Sequence, residues 1–181
     1  MWQEVTEEAL PKFDNINNAP DLWVWEVVKK NLEEFELDYN QIQEKAIEIF
    51  GDNFTKQFPK EGSEYIYYDK NYGKYITTGI GLDTQDDMFY IKKINKTKVG
   101  YEVEIVEYLE DYENSMGLED ENEVYDIYIK NIDQETVATI KSNESETRAI
   151  EVVKENIDKF TTKTINLVKD SEENIFVESV K

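Results

Sequence analysis

The sequence contains no cysteine and no histidine. Without thiolate or imidazole the chain cannot build Ser-His-Asp or Cys-His nucleophilic sites, or histidine acid–base relays. Zinc and copper sites made from those ligands are excluded, as are iron–sulfur clusters and haem held by Cys or His. Carboxylates, Lys, Tyr, Ser and Thr remain, together with hard cations such as calcium or magnesium. Arginine occurs once, as Arg148, and 41 acids outweigh 20 bases for a net charge of −21. A polyanion of this kind repels nucleic acid and anionic membrane, so neither is expected as a direct partner. No apolar run approaches the ~20 residues needed to cross a bilayer. The opening MWQEVTEEALPKFDN has neither the basic nor the apolar region of a signal peptide, and none is expected there.

What the chain does have is aromatic surface. Hydrophobic residues make up 39 % and aromatic residues 13 %, with 12 Tyr, 8 Phe and 3 Trp, too much for a disordered chain. At 181 residues one domain with an aromatic-rich core is expected. Residues 1–20 read as a loosely attached lead-in, and 21–181 as a single α+β domain.

From Asp21 the pattern is helical. Val24, Val27, Val28, Leu32 and Phe35 fall on one face, with Asn31 the polar exception. Of the three tryptophans, Trp25 is expected to be the buried one, because it lies one turn from Val28. Trp2, in the lead-in, is expected to matter far less. Asp38 and Gln41 have capping-box spacing for a second helix, whose stripe runs Tyr39, Ile42, Ala46, Ile49 and Phe50 to a stop at Gly51.

The period then shifts towards two. EYIYY and KYITTGIGL read as strands broken by DKNYG, and residues 88–112 as a long hairpin turning near 95–100. In its second arm Ile105 and Val106 break the alternation, which implies a bulge or a position covered on both faces. NEVYDIYIKNI and TVATIK pair across DQE. Asn143 and Glu146 again have capping-box spacing, before a helix face of Ala149, Val152, Val153, Asn156, Ile157 and Phe160 at about 144–159. Two strands around an acidic turn close the chain. The expected architecture is therefore α+β: N-terminal helices packed on a curved, mostly antiparallel sheet, with a third helix before the last two strands.

One stretch concentrates charge. LEDYENSMGLEDENEVYD, residues 109–126, holds eight carboxylates between two strands. Tested as a calcium loop from Asp111, it has Met116 where the turn glycine belongs and Asn122 where the bidentate Glu belongs. DTQDD, at 83–87, fails at Met88. TTGIG, at 77–81, lacks a phosphate-loop lysine. No metal site, no cofactor and no catalytic residue is assigned, and with 41 acids a glycosidase-type carboxylate pair cannot be picked out by spacing. The loop reads as solvated, with Glu110, Asp111, Glu119 and Glu121 as a candidate surface for a basic protein or peptide. The tyrosines of YIYYDKNYGKY read as cross-strand packing ahead of a ligand cleft.

The order of elements resembles the cystatin-like α+β group, and within it a nuclear-transport-factor-2-like cone. The words YNQIQEKAIEIFGDNF, YYDKNYGKYITTGIGL, GYEVEIVEYLEDY, VVKENIDKFTTKTINLVK and NIFVESVK are similar to extracytoplasmic lipoprotein domains of low-GC Gram-positive bacteria. That resemblance implies a non-catalytic binding or interaction domain at the cell surface, held to the membrane only through a lipid anchor this sequence does not contain. Two alternatives stand beside it. One is a small-molecule enzyme using carboxylate and Tyr in the cone's pocket. The other is a cytoplasmic acidic protein that neutralises a basic partner, as immunity proteins do.

Overall fold

The computed structural model describes residues 10–31, 36–58, 66–77, 85–112, 123–144 and 147–181. These gather into two compact units, one drawn from Met1–Gly81, Thr97–Tyr101 and Asn166–Lys181, the other from Leu82–Lys96 and Glu102–Ile165. The fold class is α+β, with two early helices, a third before the last strands, and antiparallel pairing in every register resolved.

In the first unit, α1 (Asp21–Lys30) packs on α2 (Tyr39–Phe50). The α1 stripe buries Val24, Trp25 and Val28, as its spacing requires, while Leu32 and Phe35 lie outside the described residues. The α2 start carries the expected box. The Asp38 carboxylate accepts the Asn40 amide at 2.8 Å, and the Gln41 side chain accepts the Asp38 amide. Gly51 ends the helix at φ +86°, a conformation open to glycine. Between the helices, β1 (Glu36–Asp38) pairs with β3 (Lys74–Thr77), which also pairs with β2 (Ile66–Asp69). β2 and β3 meet the expectation. The sequence gives no sign of β1, because three residues have no readable period and their pairing is supplied by β3.

The lead-in requires correction over its described part. Leu10, Phe13, Ile16 and Ala19 are buried, and Phe13 exchanges backbone hydrogen bonds of 3.0 and 2.8 Å with Val180. Residues 10–19 are thus packed, since the last strand offers them an edge and an apolar surface. Trp2 lies outside the described residues. The aromatic core is continuous: ring contacts of 4.9–6.5 Å link Phe13, Trp23, Phe50, Phe54, Phe58, Trp25 and Tyr75 in turn.

The second sheet has six strands: β4 (Gln85–Lys96), β5 (Gly100–Asp111), β6 (Asp126–Lys130), β7 (Thr136–Lys141), β8 (Thr162–Lys169) and β9 (Ile175–Val180). Their order is β7-β6-β5-β8-β9, with β4 also paired to β5. Residues Ile105 to Leu109 of β5 are all buried, so the broken alternation reflects cover on both faces. In the second unit α3 (Arg148–Glu155) sets Ala149, Val152 and Val153 against Val106, Tyr108, Ile129 and Ile140. It is shorter than expected and is continued by a 3-10 turn, Ile157–Lys159. Its N-cap is Thr147, without a side-chain cap bond, so Asn143 does not cap it; Glu146 lies outside the described residues.

Candidate functional site

Of the four acids proposed as a partner surface, two can be placed. Asp111 is buried and pairs with Lys130, its diagonal cross-strand neighbour two residues along the register. Glu110 is half-buried and accepts a hydrogen bond from Tyr108. Burial raises the Glu110 pKa, the Tyr108 bond opposes this, and the nearby Asp86 charge adds to it. Burial, with Glu110 beside it, pushes the Tyr108 hydroxyl up to about 12. Neither acid therefore projects freely from a hairpin end, as the sequence reading had it. β5 continues through position 111, and its pleat turns these neighbouring side chains to opposite faces, where Asp111 is buried and Glu110 half-buried. Glu119 and Glu121 lie outside the described residues, as does the loop core at 113–122. Among the described residues no cluster of three or more acids is arranged to hold a metal.

The tyrosines of the β2–β3 hairpin pack, as read. Tyr75 is buried, with Tyr68 and Tyr39 at ring distances of 5.0 and 6.2 Å. Burial first, then its two tyrosine neighbours, raise the Tyr75 pKa.

An open surface cleft lies elsewhere in the first unit, between the end of α2, residues 15–17, and the β8–β9 hairpin, with a volume of about 1190 Å³. Its construction starts at Gly51. A Cβ there would fall 3.0 Å from the Phe176 ring, so the missing side chain lets the α2 stop and β9 approach. Asn17 ties the adjoining strand of chain: its Oδ1 accepts from the amides of Thr55 (2.7 Å) and Lys56 (3.1 Å), and its Nδ2 donates to the Asn53 carbonyl (2.9 Å). On the other wall Asp170 holds the hairpin turn, accepting from the amides of Glu172 (2.8 Å) and Asn174 (2.9 Å) and from the Asn174 side chain. Those donors, the Asn174 side chain foremost, lower the Asp170 pKa.

Charge on this surface is one-sided. Lys169 is the one lysine among the described lining residues, and it is engaged by Glu173, whose hydrogen bond raises its pKa. Glu48 is paired with Lys45 at 2.8 Å. Asp52, Glu172 and Glu178 are exposed on the lining, next to the outward-facing side chains of Ile47 and Ile175. Exposed carboxylates around aliphatic side chains suit a ligand that is cationic and partly apolar. The sequence did show the two halves, the Gly51 stop and the DSEEN turn. It carried no signal that these distant segments share a surface.

The chain matches no family model, no curated protein and no solved structure.

Proposed function

We propose that this chain is a non-catalytic binding domain that recognises a basic protein or peptide segment through the α2/β8–β9 cleft. One observation carries the reading: Asp52, Glu172 and Glu178 line the same open cleft as the exposed Ile47 and Ile175. The −21 net charge adds long-range attraction for such a partner, felt over about one Debye length, ~8 Å at physiological salt. By contrast, the carboxylate–tyrosine pair Glu110 with Tyr108 is built into the packing of the second unit, where Tyr108 is buried against Phe160. That arrangement favours binding over catalysis. An extracytoplasmic, lipid-anchored setting and kinship with cystatin-like or nuclear-transport-factor-2-like domains belong to the same proposal, supported by the sequence resemblance alone.

The test is a titration with a lysine-rich peptide interspersed with leucine, alongside an acidic peptide of equal length. The basic peptide is expected to bind, with affinity falling as salt rises and mainly through the on-rate. Combining Asp52→Asn, Glu172→Gln and Glu178→Gln should weaken binding and flatten the salt dependence. Equal affinity for both peptides, or an unchanged affinity in the triple variant, would overturn the assignment.

A further inference from the structure

The strand β4 combines two features. It pairs with β5 and, among the described residues, with no other strand, so one long backbone edge is left unpaired. It also exposes large apolar side chains, Phe89 at 43 % and Ile91 at 55 %, with Met88 and Ile94 beside them. Natural edge strands are ordinarily kept from pairing by shortness, a bulge, proline or exposed charge, lysine above all, so the lysines of β4 permit pairing only where an acid meets them. β4 runs twelve residues without proline.

Strand pleating separates two rows. On one row Tyr90 packs against the second unit's core under the Lys154 ammonium, and Lys92 pairs with Glu104 at 3.5 Å. The other row reads Asp87, Phe89, Ile91, Lys93. That order is complementary to its own reverse. When two copies pair antiparallel about Tyr90, Asp87 of each meets Lys93 of the other, and Phe89 of each meets Ile91. Shifting the centre to Phe89 sets Asp87 against Ile91, and shifting it to Ile91 sets Phe89 against Lys93. Along this row the register about Tyr90 therefore matches charge with charge and apolar with apolar, while on the opposite face Met88 meets Lys92 and Asp86 meets Ile94; two-fold symmetry makes every contact twice. Local charge also permits the approach. Residues 85–98 carry Lys92, Lys93, Lys96 and Lys98 against Asp86 and Asp87, a basic stretch in a chain of net −21.

We infer that β4 is a self-association edge: two copies of this chain join by antiparallel β4–β4 pairing centred on Tyr90, extending each sheet into the other. The surface is distinct from the acidic cleft and does not depend on the function proposed for it.

Sedimentation velocity over a wide concentration range reads this directly. The wild-type chain is expected to shift from 21.4 kDa towards twice that mass as concentration rises. Lys93→Asp places an acid opposite Asp87 at both ends and should weaken association by about tenfold. Exchanging the two charges, Asp87→Lys with Lys93→Asp, should restore it, which separates the interface from any general effect on folding. Circular dichroism of all three proteins checks that the fold is retained. A wild-type chain that stays monomeric, a dimer indifferent to Lys93→Asp, or a charge exchange that fails to restore association would each overturn the proposal.

Discussion

Glu107 on β5 and Lys163 on β8 form an ion pair of 2.7 Å whose side chains are 3 % and 2 % exposed. Two opposite charges removed this completely from water are costly, and their mutual attraction recovers that cost only while both are present. Lys163→Met should therefore destabilise the chain by about 3–5 kcal/mol, because it strands a buried carboxylate. Replacing both residues, Glu107→Met with Lys163→Met, should recover most of the loss. Chemical denaturation of the single and double variants checks this. Additive losses would mean that the residues do not act as a pair.

A second prediction concerns the ring cluster. Trp25 is buried between Phe58 and Tyr75, at centroid distances of 5.9 and 4.9 Å. Trp25→Ala should cost about 3–5 kcal/mol, the range for emptying a large aromatic site. Phe13 is also buried, in tilted ring contact with Trp23 at 5.3 Å and bonded through its backbone to Val180, so Phe13→Ala should fall in the same range. A negligible loss at Phe13 would return residues 10–19 to the status of a loose lead-in.

These two cases show what was legible in the sequence and what was not. Local signals were reliable where one turn or one helix face decides the outcome. Asp38 and Gln41 cap α2, the β4–β5 and β6–β7 hairpins turn where expected, and the Ala149–Val153 face is buried. Phe13 gave no such signal, because its partner Val180 lies at the other end of the chain. The same holds for β1, whose existence depends on β3. The Glu107–Lys163 pair was invisible for a related reason. Glu107 falls out of phase with Glu102 and Glu104, just past the break at Ile105 and Val106, and its burial comes from neighbouring elements that no local spacing reveals. Asp111 misled in the same way: a charged word in the sequence read as a loop, and its pairing with Lys130 is a cross-strand fact.

Glu110 supplies a pH dependence. Burial chiefly raises its pKa in the folded chain above the ordinary carboxylate value, so the folded state holds this proton more tightly than the unfolded state. Between the ordinary and the raised pKa the folded chain binds more protons, and the Glu110 contribution to stability falls as pH rises through that window. Glu110→Gln should remove this part of the slope and leave stability less sensitive to pH just above the carboxylate range. Denaturation midpoints measured through the window check it. A slope that is unchanged or steeper in the variant would contradict the assignment.

Gly51→Ala tests the cleft's floor. The new methyl would meet the Phe176 ring at 3.0 Å on a backbone of φ +86°, so strain and contact act together. A loss of about 1–3 kcal/mol is expected. Gly73→Ala, also at positive φ but with its nearest contact 3.8 Å away, isolates the backbone part and should cost less. Equal losses would show that the approach of Phe176 is not what requires glycine.

The Asn17 clamp makes the cleft subject to chemical ageing. Its amide nitrogen donates to the Asn53 carbonyl while its oxygen accepts two backbone amides, so both ends of the side chain are committed. Hydrolysis of that amide to a carboxylate keeps the acceptor and removes the donor, leaving two oxygens facing each other where a hydrogen bond had been. We predict that stored protein which has deamidated at Asn17, identified by peptide mass mapping, is less stable than fresh protein; equal denaturation midpoints would refute this. Each such event also adds a negative charge to a lining that is already acidic. Age would thus loosen the wall of the cleft while deepening its preference for cations, a drift in properties that arises without any change in the gene.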